Sequence, residues 1–203
     1  MQSVSPEQHL SKDPVIKSLI NQYHLSPLGE STNLYLDLIN IIISQQLSVK
    51  AAKSITNRLH HLLNYKSSAT VTPHHLLKLS IDQLRSVGLS QPKITYIHHL
   101  SQSVIDNQII IDQLKKASDE SVFEQITKLK GLGPWSADMF LIFSLQRPDI
   151  FSIHDLGLRT AVSRLYHLDR QDFDAINHLS QKWSPYRSLA SRYLWASLDN
   201  SPI

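Results

Sequence analysis

Not one of the 203 residues is cysteine, which excludes a disulfide-stapled scaffold, a cysteine-based zinc finger, an iron–sulfur cluster and a cysteine nucleophile. Glycine is scarce, at five residues, so each one marks a place to look for a turn or a close approach. Long apolar runs are missing too: Leu38 to Ser44 and Met139 to Phe143 fall far short of the ~20 residues that a bilayer demands. The opening stretch MQSVSPEQHLSKDP has no basic region followed by an apolar core and does not read as a signal peptide. Charge is modest, with 20 Lys+Arg against 17 Asp+Glu and a formal net charge of +3. That small excess suits nucleic acid or another polyanion without singling one out. With 41% hydrophobic residues the chain is too apolar for disorder, and its length suffices for a core without disulfides or structural metal. A soluble, intracellular protein of one large domain or two small ones is expected.

What the chain does contain is helical periodicity nearly end to end, with little strand-like alternation, so the expected fold class is all-α. Asp13-Pro14 reads as an N-cap with proline in the first turn, opening a helix to about Tyr23. Thr32-Asn33 starts the next, with a broad apolar stripe from Leu34 to Ile43, and Ser48 caps a third that runs through Leu62. Residues 64–74 show no pattern and read as loop. Shorter helices are expected at about 75–87, 91–105 and 120–130, and stronger ones at 134–146, 155–166, 171–182 and 186–198.

Two stretches echo each other: Leu84 to Lys93 around Gly88, and Leu129 to Trp135 around Gly131 and Gly133. Each reads as a helix end, a glycine turn and a new helix with proline in its first turn, which is the chemistry of a tight αα-hairpin. Plain helix packing explains one such turn. Two glycines beside a helix N-terminus also leave backbone amides uncovered, the arrangement that cradles a phosphate. Downstream, Asp155 stands just before a new helix. It reads equally as an N-cap and as a carboxylate placed to stabilise a developing cation. The adjacent histidine pairs at 60–61, 74–75 and 98–99 diverge by ~100° on a helix and lack metal-ligand spacing, so they read as surface residues. No Gly-x-Ser-x-Gly elbow supports a serine hydrolase.

The segment from Leu129 to Leu165 resembles the helix–hairpin–helix, Gly/Pro-rich loop and aspartate of the helix–hairpin–helix (HhH-GPD) DNA glycosylase superfamily, and within it the short, all-helical form of DNA-3-methyladenine glycosylase II. Three further matches lie outside that segment, in Ile41 to Ala52 (the Gln-Gln-x-Ser region), Leu84 to Ile97, and Trp183 to Trp195, so the resemblance spans about residues 10–198. It implies two helical subdomains flanking a DNA-binding cleft, expected at 1–32 plus 166–203 and at 33–165. It also implies a monomeric enzyme acting on double-stranded DNA with alkylated bases, free of membrane. The compartment would be the cytoplasm if the source is bacterial, the nucleus if eukaryotic. The damaged nucleotide would be flipped out and its N-glycosidic bond hydrolysed in base excision repair.

The roles follow position by position from the resemblance. Asp155 matches the catalytic aspartate, and Trp135, with Trp195, Met139 and His154, matches the base pocket. Gly131 and Gly133 match the phosphate-binding hairpin, Gln46 falls where the family inserts a wedge, and Ser48, Lys93 and Arg159 join the DNA-facing set with Arg187 as a further cation. Backbone carbonyls of Thr127, Leu129 and Leu132 would hold a structural monovalent cation, with no other cofactor required. Strand-nicking members carry a lysine where this chain has Trp135, and an indole cannot form a Schiff base. A monofunctional enzyme leaving an abasic site is therefore expected. Two positions depart from the family: His154 replaces an acid common before the aspartate, where its imidazole lowers the carboxylate's pKa or merely faces solvent, and Met139 replaces a second pocket aromatic. The alternative is a non-catalytic lesion-binding protein of the same fold; a helical protein without a DNA role is the plainest reading.

Overall fold

Local capping chemistry accounts for where most helices begin. A computed structural model describes residues 5–64 and 67–198; residues 1–4 of the opening stretch and residues 65–66 of the expected loop lie outside these. Among the described residues the α-helices are α1 (Pro6–Leu10), α2 (Pro14–Gln22), α3 (Leu34–Ser44), α4 (Val49–Leu63), α5 (Pro73–Leu77), α6 (Ile81–Ser86), α7 (Gln91–Ile105), α8 (Asp119–Thr127), α9 (Pro134–Met139), α10 (Leu156–Tyr166), α11 (Phe173–Ser180) and α12 (Arg187–Ala196). No strand occurs among them. Side chains of Asp13, Asn33, Ser48 and Asp155 accept the first-turn amides of α2, α3, α4 and α10, as the sequence predicts.

Three local expectations are corrected. The helix expected at 75–87 is two helices, because Ser80 and Gln83 form a reciprocal capping box that restarts the chain at Ile81. The patternless 64–74 segment holds a 3₁₀ turn at Ser68–Thr70 and the start of α5. The helix expected at 134–146 passes from α9 into a π-helical turn, Phe140–Ser144, which no periodicity argument resolves.

The chain divides into two compact units, Met1–Leu28 with Gln146–Ile203, and Gly29–Leu145. The expected division at 165/166 thus falls at 145/146, and Asp155 belongs with the termini. In the terminal unit α12 packs against α2 and α10 around Ile16, Val162, Trp183 and Leu194, all fully buried. Asp13 ties this unit together. Its Oδ1 accepts the amides of Val15 and Ile16, and its Oδ2 accepts the Tyr166 hydroxyl at 2.9 Å and the Trp183 indole N–H at 3.0 Å. Burial and the Asp13 charge push the Tyr166 phenol well above its ordinary range.

In the other unit α3 is apolar nearly all round and is buried from Leu34 to Ile43 except at Asp37 and Asn40, the pattern of a central core helix. It packs against α4, α7, α9 and the π-helical turn. Its Tyr35 hydroxyl shares a buried 2.7 Å hydrogen bond with Ser101 of α7.

Candidate functional site

The two echoing glycine turns have different surroundings. At the first, Gly88 has φ +98°, and a Cβ there would lie 2.8 Å from the Arg58 Nη2 and 3.3 Å from Ile55. Arg58 also donates from Nε to the Val87 carbonyl at 2.8 Å, so this turn is packed onto α4. At the second, between α8 and α9, Gly131 has φ +85°, and a Cβ would collide with the Tyr96 ring at 2.1 Å. Only glycine fits there. Leu132 is buried beneath the turn, while a Cβ on Gly133 would meet nothing within 4 Å. The second turn is therefore anchored at its start and open at its end, where α9 begins.

Opposite this hairpin in the same unit lies the turn between α3 and α4. Gln45 donates from Nε2 to the Gly131 carbonyl at 2.8 Å and to Ser136 Oγ at 3.0 Å. Gln46 adopts a left-handed φ of +57°, and Leu47 is 39% exposed. Ser48 spends its Oγ lone pair on the Ala51 amide as the cap of α4. Lys93, expected among the DNA-facing residues, has partners within the fold: its ammonium donates to the carbonyls of Ile43 at 2.7 Å and Gln45 at 2.8 Å, satisfying the C-terminal end of α3. Burial lowers its pKa from the ordinary lysine value. Trp135 is half-buried at the first turn of α9, whereas Met139 is fully buried and presents no surface to a base, so its expected pocket role is not what the packing gives it.

In the terminal unit Asp155 is 8% exposed and caps α10. Its Oδ1 accepts the Leu158 amide at 2.7 Å and the Trp195 indole N–H at 2.9 Å. Two N–H donors and the positive end of α10 thus face one carboxylate. Trp195 is 1% exposed, too enclosed to stack on a base; its expected role as a pocket wall is replaced by that of a hydrogen-bond donor to Asp155. Gly157 keeps this contact possible. A Cβ there would lie 3.0 Å from Asp155 Oδ1 and 3.5 Å from the indole nitrogen. His154 and Leu156, flanking the carboxylate, are exposed, Leu156 at 55%.

The remaining cations have protein partners. The Arg159 guanidinium lies 4.5 Å over the Phe173 ring and reaches the Arg170 carbonyl at 3.5 Å. Arg187 makes a bidentate pair with Asp149 at 2.8 and 3.1 Å. Burial pushes the Asp149 carboxyl up, but the Arg187 and Ser184 hydrogen bonds and the Arg187 charge outweigh it and hold it below its ordinary value. The structure thus brings Asp155 and Trp195 together in one unit, and the Gln46 turn, Lys93 and the hairpin together in the other. Sequence reasoning marked Gln45 within the Gln-Gln-x-Ser region without giving it a role, and missed Tyr96 and Gly157. The scarcity of glycine pointed to the last; nothing local marked Tyr96.

The sequence profile of the HhH-GPD superfamily base excision DNA repair protein matches residues 39–185. DNA-3-methyladenine glycosylase 1 of Schizosaccharomyces pombe is 31% identical over 180 residues, covering 87% of this chain and 78% of that protein. Among solved structures, the S. pombe 3-methyladenine DNA glycosylase in complex with abasic DNA superposes with a TM-score of 0.84 at 28% identity, over 98% of each chain. The DNA-3-methyladenine glycosidase of Bacillus halodurans gives 0.77 at 33% identity, over 95% of this chain and 89% of the other. With that profile matched over most of its length and an all-helical fold among its described residues, the chain belongs to the HhH-GPD superfamily of base excision DNA repair proteins.

Proposed function

We propose that the protein is a monofunctional DNA glycosylase that binds double-stranded DNA as a monomer, extrudes an alkylated purine such as 3-methyladenine and hydrolyses its N-glycosidic bond, leaving an abasic site. The observation that carries this reading is Asp155, a buried carboxylate held at a helix N-terminus by a backbone amide and an indole N–H. The family membership and the names of the similar proteins support it.

A base inside a duplex is out of reach, so extrusion comes first, at a cost of about a few kcal/mol. Alkylation at N3 or N7 makes the purine cationic and weakens its bond to the sugar. The half-buried Trp135 indole stacks on that cation, for about 0.5–2 kcal/mol. As the bond breaks, its electron pair goes to the departing base, which leaves neutral, and positive charge collects on the sugar. A carboxylate at ~4 Å stabilises that charge by about 4 kcal/mol at an effective dielectric near ~20, roughly three decades in rate. Water then adds to the sugar carbon, and its proton passes to Asp155 or to solvent. No Schiff base forms at position 135, which offers no amine, so strand cleavage does not follow.

The amides of the Gly131–Gly133 hairpin grip a phosphate. Carbonyl oxygens of Thr127, Leu129 and Leu132 are the hard donors a monovalent cation takes, although that of Leu129 already accepts the Leu132 amide at 3.1 Å. Such an ion would tie the hairpin to the phosphate, and no step runs through it. No described helix is long and apolar enough to cross a membrane, and the enzyme works where the genome is, in a bacterial cytoplasm or a nucleus.

The test is a panel of duplexes carrying 3-methyladenine, 7-methylguanine, ethenoadenine or hypoxanthine, with free base and strand breaks assayed separately. Base release without strand cleavage is expected for the wild type, and its loss in Asp155→Asn. Lesion binding without release would leave a non-catalytic lesion-binding protein, and nicked product would overturn monofunctionality.

A further inference from the structure

The turn joining α3 to α4 is held from two sides in a conformation its own sequence disfavours. Gln46 sits in the left-handed region, which glycine and asparagine adopt readily and glutamine does not. Such a backbone persists where its surroundings over-determine it. Here Lys93 of α7 clamps the carbonyls of Ile43 and Gln45 just before the strained residue, and the Gln45 side chain reaches across to the Gly131 carbonyl and Ser136 Oγ. Tyr96, one turn after Lys93 on α7, closes against Gly131 so tightly that no Cβ fits between them. A single helix therefore buttresses both the turn and the hairpin. What the turn presents outward is Gln46 and the exposed Leu47, followed by exposed Val49.

We propose that Lys93 and Gln45 are positioning residues that lock the Gln46–Leu47 turn in register with the Gly131–Gly133 hairpin, so that gripping the backbone and filling the space vacated by an extruded base occur as one docking event. This rests on the glycosylase reading above. It removes Lys93 from the phosphate contacts and gives Gln45 a task that its exposed neighbour Gln46 does not share.

Lys93→Met keeps the aliphatic stem and removes the clamp; Lys93→Arg keeps donors for both carbonyls. Three readouts separate the roles. Amide hydrogen exchange at residues 44–48 of the free protein rises about tenfold or more in Lys93→Met, with protection elsewhere retained. The salt slope of undamaged-duplex binding stays that of the wild type. Single-turnover base release, with extrusion followed by 2-aminopurine fluorescence, falls about tenfold or more and recovers in Lys93→Arg. Gln45→Met reproduces the exchange and release effects and carries the test if Lys93→Met does not fold. A salt slope reduced by about 0.9 would make Lys93 a phosphate contact and overturn the proposal. Unchanged exchange at 44–48, or wild-type release in both variants, would overturn it as well. A wild type that releases no base would defeat the glycosylase reading instead, and the exchange experiment would still decide whether the lock exists.

Discussion

Two aspartates in the terminal unit begin from the same chemistry and end in different surroundings. Asp13 and Asp155 each cap a helix, and each accepts an indole N–H from the C-terminal segment, Asp13 from Trp183 and Asp155 from Trp195. Asp13 divides its work between its oxygens, Oδ1 for the first turn of α2 and Oδ2 for two rings from distant segments. It stitches three parts of the chain together. At Asp155 the amide and the indole converge on the single oxygen Oδ1, and the residues flanking it, His154 and Leu156, open to solvent. The cap motif and the partner type do not separate a structural carboxylate from a reactive one. What differs in the structure is the exposure of the immediate neighbours, and on the glycosylase reading proposed above that is where a reactive carboxylate would part from a structural one.

Substitutions can break that contrast. Asp155→Asn retains an oxygen to cap α10 and to accept from Trp195, so we expect base release to fall by about three decades while the thermal midpoint moves by less than ~2 °C. A large loss of stability would put Asp155 in the same class as Asp13. Asp13→Ala removes a cap and strands a half-buried phenol and a buried indole, costing about 3 kcal/mol, or roughly 6–12 °C in the melting midpoint. Base release by the folded fraction at low temperature should match the wild type.

Gly157→Ala sharpens the comparison without touching either carboxylate. The new methyl crowds Oδ1 and the Trp195 ring by a few tenths of an ångström, so single-turnover release should drop by about tenfold, with circular dichroism still reporting a folded helix. The smallest effects are expected from the matched pair Trp183→Phe and Trp195→Phe, each losing one indole hydrogen bond to a carboxylate, about 1.5 kcal/mol. The first should appear in urea melts and the second in the release rate; the reverse assignment would erase the distinction drawn here.

The sequence carried the parts of the fold that depend on near neighbours. Caps at Asp13, Asn33, Ser48 and Asp155, the turns at Gly88 and Gly131, and the apolar run of α3 are all written within a few residues. What it hid depends on residues far apart in the chain. Nothing beside Lys93 shows that its ammonium ends on carbonyls about 50 residues earlier, and nothing beside Trp195 shows that its ring is enclosed against a carboxylate 40 residues away. A lysine and a tryptophan are read by default as a phosphate contact and a stacking surface, and tertiary packing reassigned both. Division into units hid for the same reason: helices alone do not say which neighbours residues 146–165 will choose. Of the candidate site, the cap at Asp155 and the glycine turn at Gly131 were readable because they belong to compact motifs, whereas the hydrogen bonds to distant residues were not.

The bare α-carbon at position 157 turns into a criterion for reading other chains. Any sequence that keeps an aspartate two places before a glycine, with a tryptophan 40 places after the aspartate, has preserved room for the indole to meet the acid. A sequence with a larger residue at that point needs the ring, the helix entry or the carboxylate to yield by a few tenths of an ångström, and a survey of natural variants would reveal which of the three gives way.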